Sequence, residues 1–119
     1  MPCHTILVGH DLGLLKTRAS LLQTASFTTA VVLGIETFMD QEALQGTDFV
    51  LLCHTLTAEE HSVAQQFLTS HAPHIKVLSL RRVNDKRLEV KGLQISTGEG
   101  PAALVKLCTE LMRDCLRKG

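Results

Sequence analysis

The chain has 119 residues, 45% of them apolar and 20% charged, which suits one domain with one ordinary core. Twelve basic residues balance twelve acidic ones, so the broad positive field that nucleic-acid binding requires is missing. No stretch approaches the roughly 20 apolar residues of a membrane span. No charged segment leads an apolar one at the N-terminus, so a cytoplasmic protein without a signal peptide is expected. With no Trp or Tyr and only four Phe, the core must be aliphatic. The four cysteines (Cys3, Cys53, Cys108, Cys115) show no C-x-x-C spacing, and reduced thiols are expected.

The predicted elements follow in chain order. Residues 5–8 form a short apolar run with β-branched members, stopped by Gly9, which reads as a buried strand. Leu14, Leu15, Arg18, Leu21 and Leu22 then recur at helical spacing. Residues 29–33 give a second strand, ended by Gly34. Ile35, Phe38, Met39 and Leu44 suggest a short helix closed by Gly46, and residues 49–52 a third apolar strand. Thr57 with Glu60 three residues on is a capping-box signature. Val63, Ala64, Phe67 and Leu68 are read as the buried stripe of the helix it opens, and Pro73 marks its end. Residues 75–80 and 93–95 are the fourth and fifth strands. Pro101 opens a final helix. Ala103, Leu104, Leu107, Leu111, Cys115 and Cys108 are read along its inner side.

Strands that alternate with helices and read as continuous apolar runs imply a parallel sheet covered on both faces. Ligand sites of such sheets lie at the carboxyl ends of the strands. That directs attention to residues 9–12, 53–56, 79–81 and 96–98.

Ile6-Leu7-Val8-Gly9-His10-Asp11 with a Leu-rich helix behind it, Asp48-Phe49-Val50-Leu51-Leu52, and Pro73 with Lys76-Val77-Leu78-Ser79-Leu80 together resemble the receiver domain of response regulators. The resemblance implies a single receiver-like domain over residues 4–117. Its fold would be a three-layer α/β/α sandwich around a five-stranded parallel sheet of order 2-1-3-4-5. Receivers of this family hold Mg²⁺ with two acidic residues after the first strand and accept phosphate on an aspartate after the third. A Ser or Thr after the fourth strand and a Lys after the fifth complete the pocket. Oxygen ligands suit Mg²⁺, and the Ser/Thr and Lys compensate the transferred charge.

On this pattern the pocket positions fall on His10, Asp11, Cys53, Ser79 and Thr97, with Ser96 as the neighbouring register for the last. Only Asp11 and Ser79 keep the family's chemistry, and the phosphoacceptor aspartate is replaced by cysteine. Leu80 stands where the family carries a small residue. Residues 81–92 leave little room for the usual fourth helix, which is expected to be shortened or missing. The implied function is a degenerate receiver, not an enzyme and without a cofactor. It would act in two-component signalling through phosphorylation-independent contact with another signalling protein or a second copy of the chain. The last helix and residues 81–91 are the expected contact surfaces, with no nucleic-acid or membrane partner.

The alternative is a metal-binding or thiol redox-sensing pocket at His10, Asp11 and Cys53, a donor set that suits Zn²⁺ better than Mg²⁺. Buried packing is the plainer reading of Cys53, and a hydrogen-bonded partner of Asp11 at the sheet edge that of His10. Cys3-His4 supplies two ligands before the first strand, and two ligands do not make a site. Cys108 and Cys115 are read as packing residues, and His61, His71 and His74 as solvated. Gly98-Glu99-Gly100 is read as a turn, and the short basic run at Arg81–Arg82 and Lys86–Arg87 as a solvated loop.

Overall fold

The computed structural model describes residues 3–39, 44–81 and 93–117. The strands are β1 (Cys3–Gly9), β2 (Phe27–Leu33), β3 (Phe49–Leu52), β4 (Lys76–Arg81) and β5 (Leu93–Ser96). The helices are α1 (Leu12–Thr24), α2 (Ile35–Met39), α3 (Ala58–His71), α4 (Gly100–Leu111) and α5 (Arg113–Arg117), with a 3₁₀ turn at Thr97–Glu99. All four strand pairings are parallel and the order is β2-β1-β3-β4-β5. This is the flavodoxin-like arrangement that the resemblance implies.

Side-chain alternation along the two central strands builds two separate cores. Leu7, Phe49 and Leu51 face α1 and α4, where they pack with Leu15, Leu22, Leu104 and Cys108. Ile6, Val8, Val50 and Leu52 face the other way, onto Phe38 of α2 and Ala64 and Leu68 of α3. Every residue of β3 is buried, whereas β2, at the edge, is half-exposed along most of its length. A strand covered on both faces has no polar face to show, which is why 49–52 reads as an unbroken apolar run.

The helix starts follow local chemistry. Asp11 caps α1, its Oδ1 accepting the Leu14 N–H at 3.1 Å. Thr57 caps α3, and Glu60 reaches back to the Thr57 N–H, a complete capping box. The buried stripe of α3 differs from the sequence reading. It runs through His61, Ala64 and Leu68, while Val63 is exposed. His61 is therefore a core residue and not a solvated one, because it starts the i, i+3, i+7 series that points at the sheet. His71 and His74 are exposed, as expected. Cys108 and Cys115 do not share one helix, since α4 ends at Leu111, Met112 is its C-cap, and α5 starts at Arg113. The expected shortening of the fourth helix falls on 82–92, outside the described residues.

Candidate functional site at the carboxyl end of the sheet

The carboxyl ends of β1 and β3 are packed tightly against each other. The Cys53 N–H donates to the Val8 carbonyl at 2.9 Å, extending the β1–β3 ladder by one residue. A Cβ placed on Gly9 would lie 2.7 Å from Thr55 Oγ1, 3.2 Å from Cys53 Cβ and 3.3 Å from a Leu15 methyl. Glycine is needed there for space and not for an unusual backbone angle. The His10 N–H closes the junction by donating to Thr55 Oγ1 at 2.8 Å.

The pocket residues then go separate ways. The His10 ring turns toward α3, where its Nε2 meets both carboxylate oxygens of Glu60 at 2.9 and 3.0 Å. Burial pushes the Glu60 carboxyl up, but the Thr57 backbone N–H and the His10 ring together outweigh it and hold the group below its ordinary value. Asp11 spends a carboxylate oxygen on the α1 cap. Ser79 is fully buried, and its Oγ accepts from Gln65 Nε2 of α3 at 3.1 Å. Thr97 opens the 3₁₀ turn after β5, with Ser96 as its cap.

Cys53 is 1% exposed. Burial pushes its thiol up to about 11, against the lowering charge and hydrogen bond of Arg18. At neutral pH only roughly 10⁻⁴ of such a thiol is thiolate, far less than a redox-active cysteine carries. Arg18 reaches from α1 over the end of β3, donating from one terminal nitrogen to His54 Nδ1 at 3.1 Å. Its other terminal nitrogen, Nη1, is buried without a hydrogen-bond partner. Beneath the loop the His61 ring is buried, its Nδ1 without a hydrogen-bond partner, and burial drives its pKa down. The end of β3 is thus covered by the Arg18 guanidinium, with the Cys53 thiol buried close to it. Leu80, 2% exposed, lines a cavity of about 180 Å³ between α1 and α4, together with Arg18, Thr97, Pro101 and Leu104.

His10, Asp11 and Cys53 therefore do not form the metal pocket of the alternative reading. Among the described residues their ligand atoms do not converge, because His10 is held by Glu60 and Asp11 by its own helix. A thiol sensor at Cys53 is likewise disfavoured by its burial. Three residues that shape this end of the sheet have other roles in the sequence reading. Glu60 appears there only as a cap, and His61 as solvated. Arg18 is counted within the stripe of α1, and a cation at a core-facing helical position was the available signal.

No protein-family model matches the chain, and no curated protein is significantly similar to it. Solved structures are similar over nearly its whole length. The receiver domain of an HD domain-containing protein from Pseudomonas fluorescens superposes with a TM-score of 0.77 at 14% identity, covering 100% of both chains. A pilus assembly-related protein from Burkholderia pseudomallei gives 0.71 at 15% identity, over 91% of this chain and 87% of that one. The receiver domain of a Saccharomyces cerevisiae response regulator, crystallised with its histidine phosphotransfer protein, gives 0.70 at 13% identity, over 94% and 92%. At such identities the likeness carries the fold alone: the chain folds as receiver domains do, in five parallel strands of order 2-1-3-4-5.

Proposed function

We propose that residues 4–117 are a receiver-like signalling module of the cytoplasm that works by protein–protein contact, without phosphotransfer and without catalysis. The observation that carries this reading is the closed carboxyl end of the sheet. Cys53 stands at the end of β3, buried and protonated, with the Arg18 guanidinium against it. A cation already set in the pocket opposes Mg²⁺ by charge, and a thiol is a poor ligand for that ion.

We place the contact surface at the exposed apolar residues of the carboxyl rim, beside the last helix and residues 81–91 that the sequence suggests. Residues 82–91 lie outside the described residues, and none of the large apolar side chains that stand exposed among the described residues is on α4 or α5. They are Leu12 and Leu14 at the start of α1, Leu33 at the end of β2, Met39 of α2 and Val63 of α3. Gly9 pairs with Leu33 in register, so Leu12 and Leu33 follow the carboxyl ends of neighbouring strands. This rim is the proposed docking surface. The yeast complex supports a signalling protein as the class of partner. The pilus-related structure adds assembly components to the candidates to be screened.

The test is native mass spectrometry of the full chain after incubation with Mg²⁺ and a small acyl phosphate. The unmodified mass is expected; a phosphoryl adduct would overturn the reading. In parallel, the chain and a Leu12→Glu, Leu14→Glu variant are used to capture partners. A second protein retained by the first and lost by the second is expected, and capture of the chain's own copies alone would refute a separate partner.

A further inference from the structure

The opposite, amino end of the sheet carries a second cluster that the receiver fold does not require. Cys3 is the first residue of β1 and is fully buried. Asp48 stands just before β3, and Cys115 lies on α5, both half-buried. One ligand atom from each lies within 4.8 Å of the other two.

The three residues are held by separate parts of the fold. Asp48 is locked by a reciprocal pair with His4: its Oδ2 accepts the His4 N–H at 3.0 Å and its own N–H donates to the His4 carbonyl at 2.9 Å. A carboxylate has two oxygens and about four acceptor sites, so this bond leaves it able to ligate. Cys115 is brought in because the chain breaks at Met112 and restarts as α5. Packing alone accounts for a buried cysteine. What distinguishes this cluster is its donor set: a carboxylate, held in place by the His4 pair, stands beside two thiol sulfurs.

We propose that Cys3, Asp48 and Cys115 form a binding site for a thiophilic divalent cation, with zinc the best match. Two sulfurs and one oxygen suit Zn²⁺ and not Mg²⁺ or Ca²⁺. With Zn–S near 2.3 Å and Zn–O near 2.0 Å, tetrahedral ligands sit about 3.5–3.8 Å apart. The cluster therefore has to close by about 1.3 Å at most, within reach of side-chain rotation. The half-buried edges of Asp48 and Cys115 give the ion an entry path and leave the fourth position to water. Binding releases the two thiol protons to solvent. Two thiolates, one carboxylate and the ion sum to one negative charge. Lys76 lies close by: its N–H donates to the Asp48 carbonyl at 3.2 Å and its ammonium to the Leu111 carbonyl at 3.1 Å. Filled, the site would tie α5 to the start of β1 and so fix the C-terminal helix. It is independent of the pocket at Cys53, at the other end of the sheet.

The test is titration of the full, phosphine-reduced chain with Co²⁺, then displacement by Zn²⁺. One equivalent of Co²⁺ with tetrahedral visible bands and a thiolate-to-metal charge-transfer band is expected, bleached by Zn²⁺. Cys115→Ser should abolish the charge-transfer pattern, and Asp48→Asn should weaken binding by more than the roughly 10–100-fold that an outer-shell change costs. Far-UV circular dichroism checks that each variant is folded, and Cys53→Ser should leave the spectrum intact. No thiolate band with the folded wild-type chain would overturn the proposal, as would loss of the band in Cys53→Ser with retention in Cys115→Ser. So would a Cys3–Cys115 disulfide that survives the reductant, found as two titratable thiols in place of four.

Discussion

Replacing Gly9 by alanine tests how closely the carboxyl ends of β1 and β3 are packed. The added methyl would sit 2.7 Å from Thr55 Oγ1, closer than real contacts allow, and 3.2–3.3 Å from Cys53 and Leu15. Thr55 cannot simply rotate away, because its hydroxyl accepts the His10 N–H at 2.8 Å. Overpacking of this kind costs about 1–3 kcal/mol, and losing that hydrogen bond adds about 1 kcal/mol. Against this, alanine restricts the unfolded chain and returns about 0.4–1 kcal/mol. A net loss of about 1–3 kcal/mol follows, or roughly 4–12 °C in melting temperature for a domain of this size. Urea unfolding measures it, with the midpoint shifted and the slope unchanged. In a Thr55→Ala background the nearest clash is gone, so the same substitution should cost measurably less. A Gly9→Ala chain as stable as the wild type, or a cost unaffected by Thr55→Ala, would refute the packing argument.

Three further outcomes are expected. A thiol reagent should modify half-buried Cys115 first and leave Cys53 and Cys108, held at about 11 and about 12 by burial, unlabelled until the chain unfolds; rapid native labelling of Cys53, mapped by peptide mass, would contradict its burial. Buried His61 is kept neutral in the folded state, so the unfolded chain takes up its proton first as pH falls through about 6.5. Stability from this group is complete above that pH and declines below it, toward the lowered folded pKa, and urea midpoints between pH 7 and 5 should fall less steeply in His61→Gln. Thr57→Ala removes the side-chain half of the α3 capping box, in which the Glu60 N–H donates to Thr57 Oγ1 at 3.1 Å; a loss of about 1 kcal/mol is expected, and a midpoint change near zero would show that the cap does not stabilise the helix.

The fold was legible because its signals are local. Alternating strands and helices, the apolar run at 49–52 and the Thr57–Glu60 pair each report on a few adjacent residues, and the parallel sheet follows from their order. The positions at the strand ends could also be placed, since an apolar run and the turn after it fix where a strand stops. What the residues there do could not. Whether Asp11 ligates or caps depends on where one carboxylate oxygen points, and whether His10 meets Cys53 or Glu60 depends on a contact across fifty residues. Arg18 looks like one more turn of helix until the end of β3 is packed beneath it. His61 looks solvated until the rotation of α3 is known, and a shift of one or two positions in the stripe decides that.

The sequence by itself determined the class of fold and the order of elements. Periodicity, caps and residue identity need no partner to be read. Only the tertiary structure decided what fills the carboxyl end of the sheet, which apolar residues remain exposed, and that Cys3, Asp48 and Cys115 meet. Those are contacts between segments 35 to 112 residues apart, and no local pattern records which of many distant side chains the closed fold will bring together.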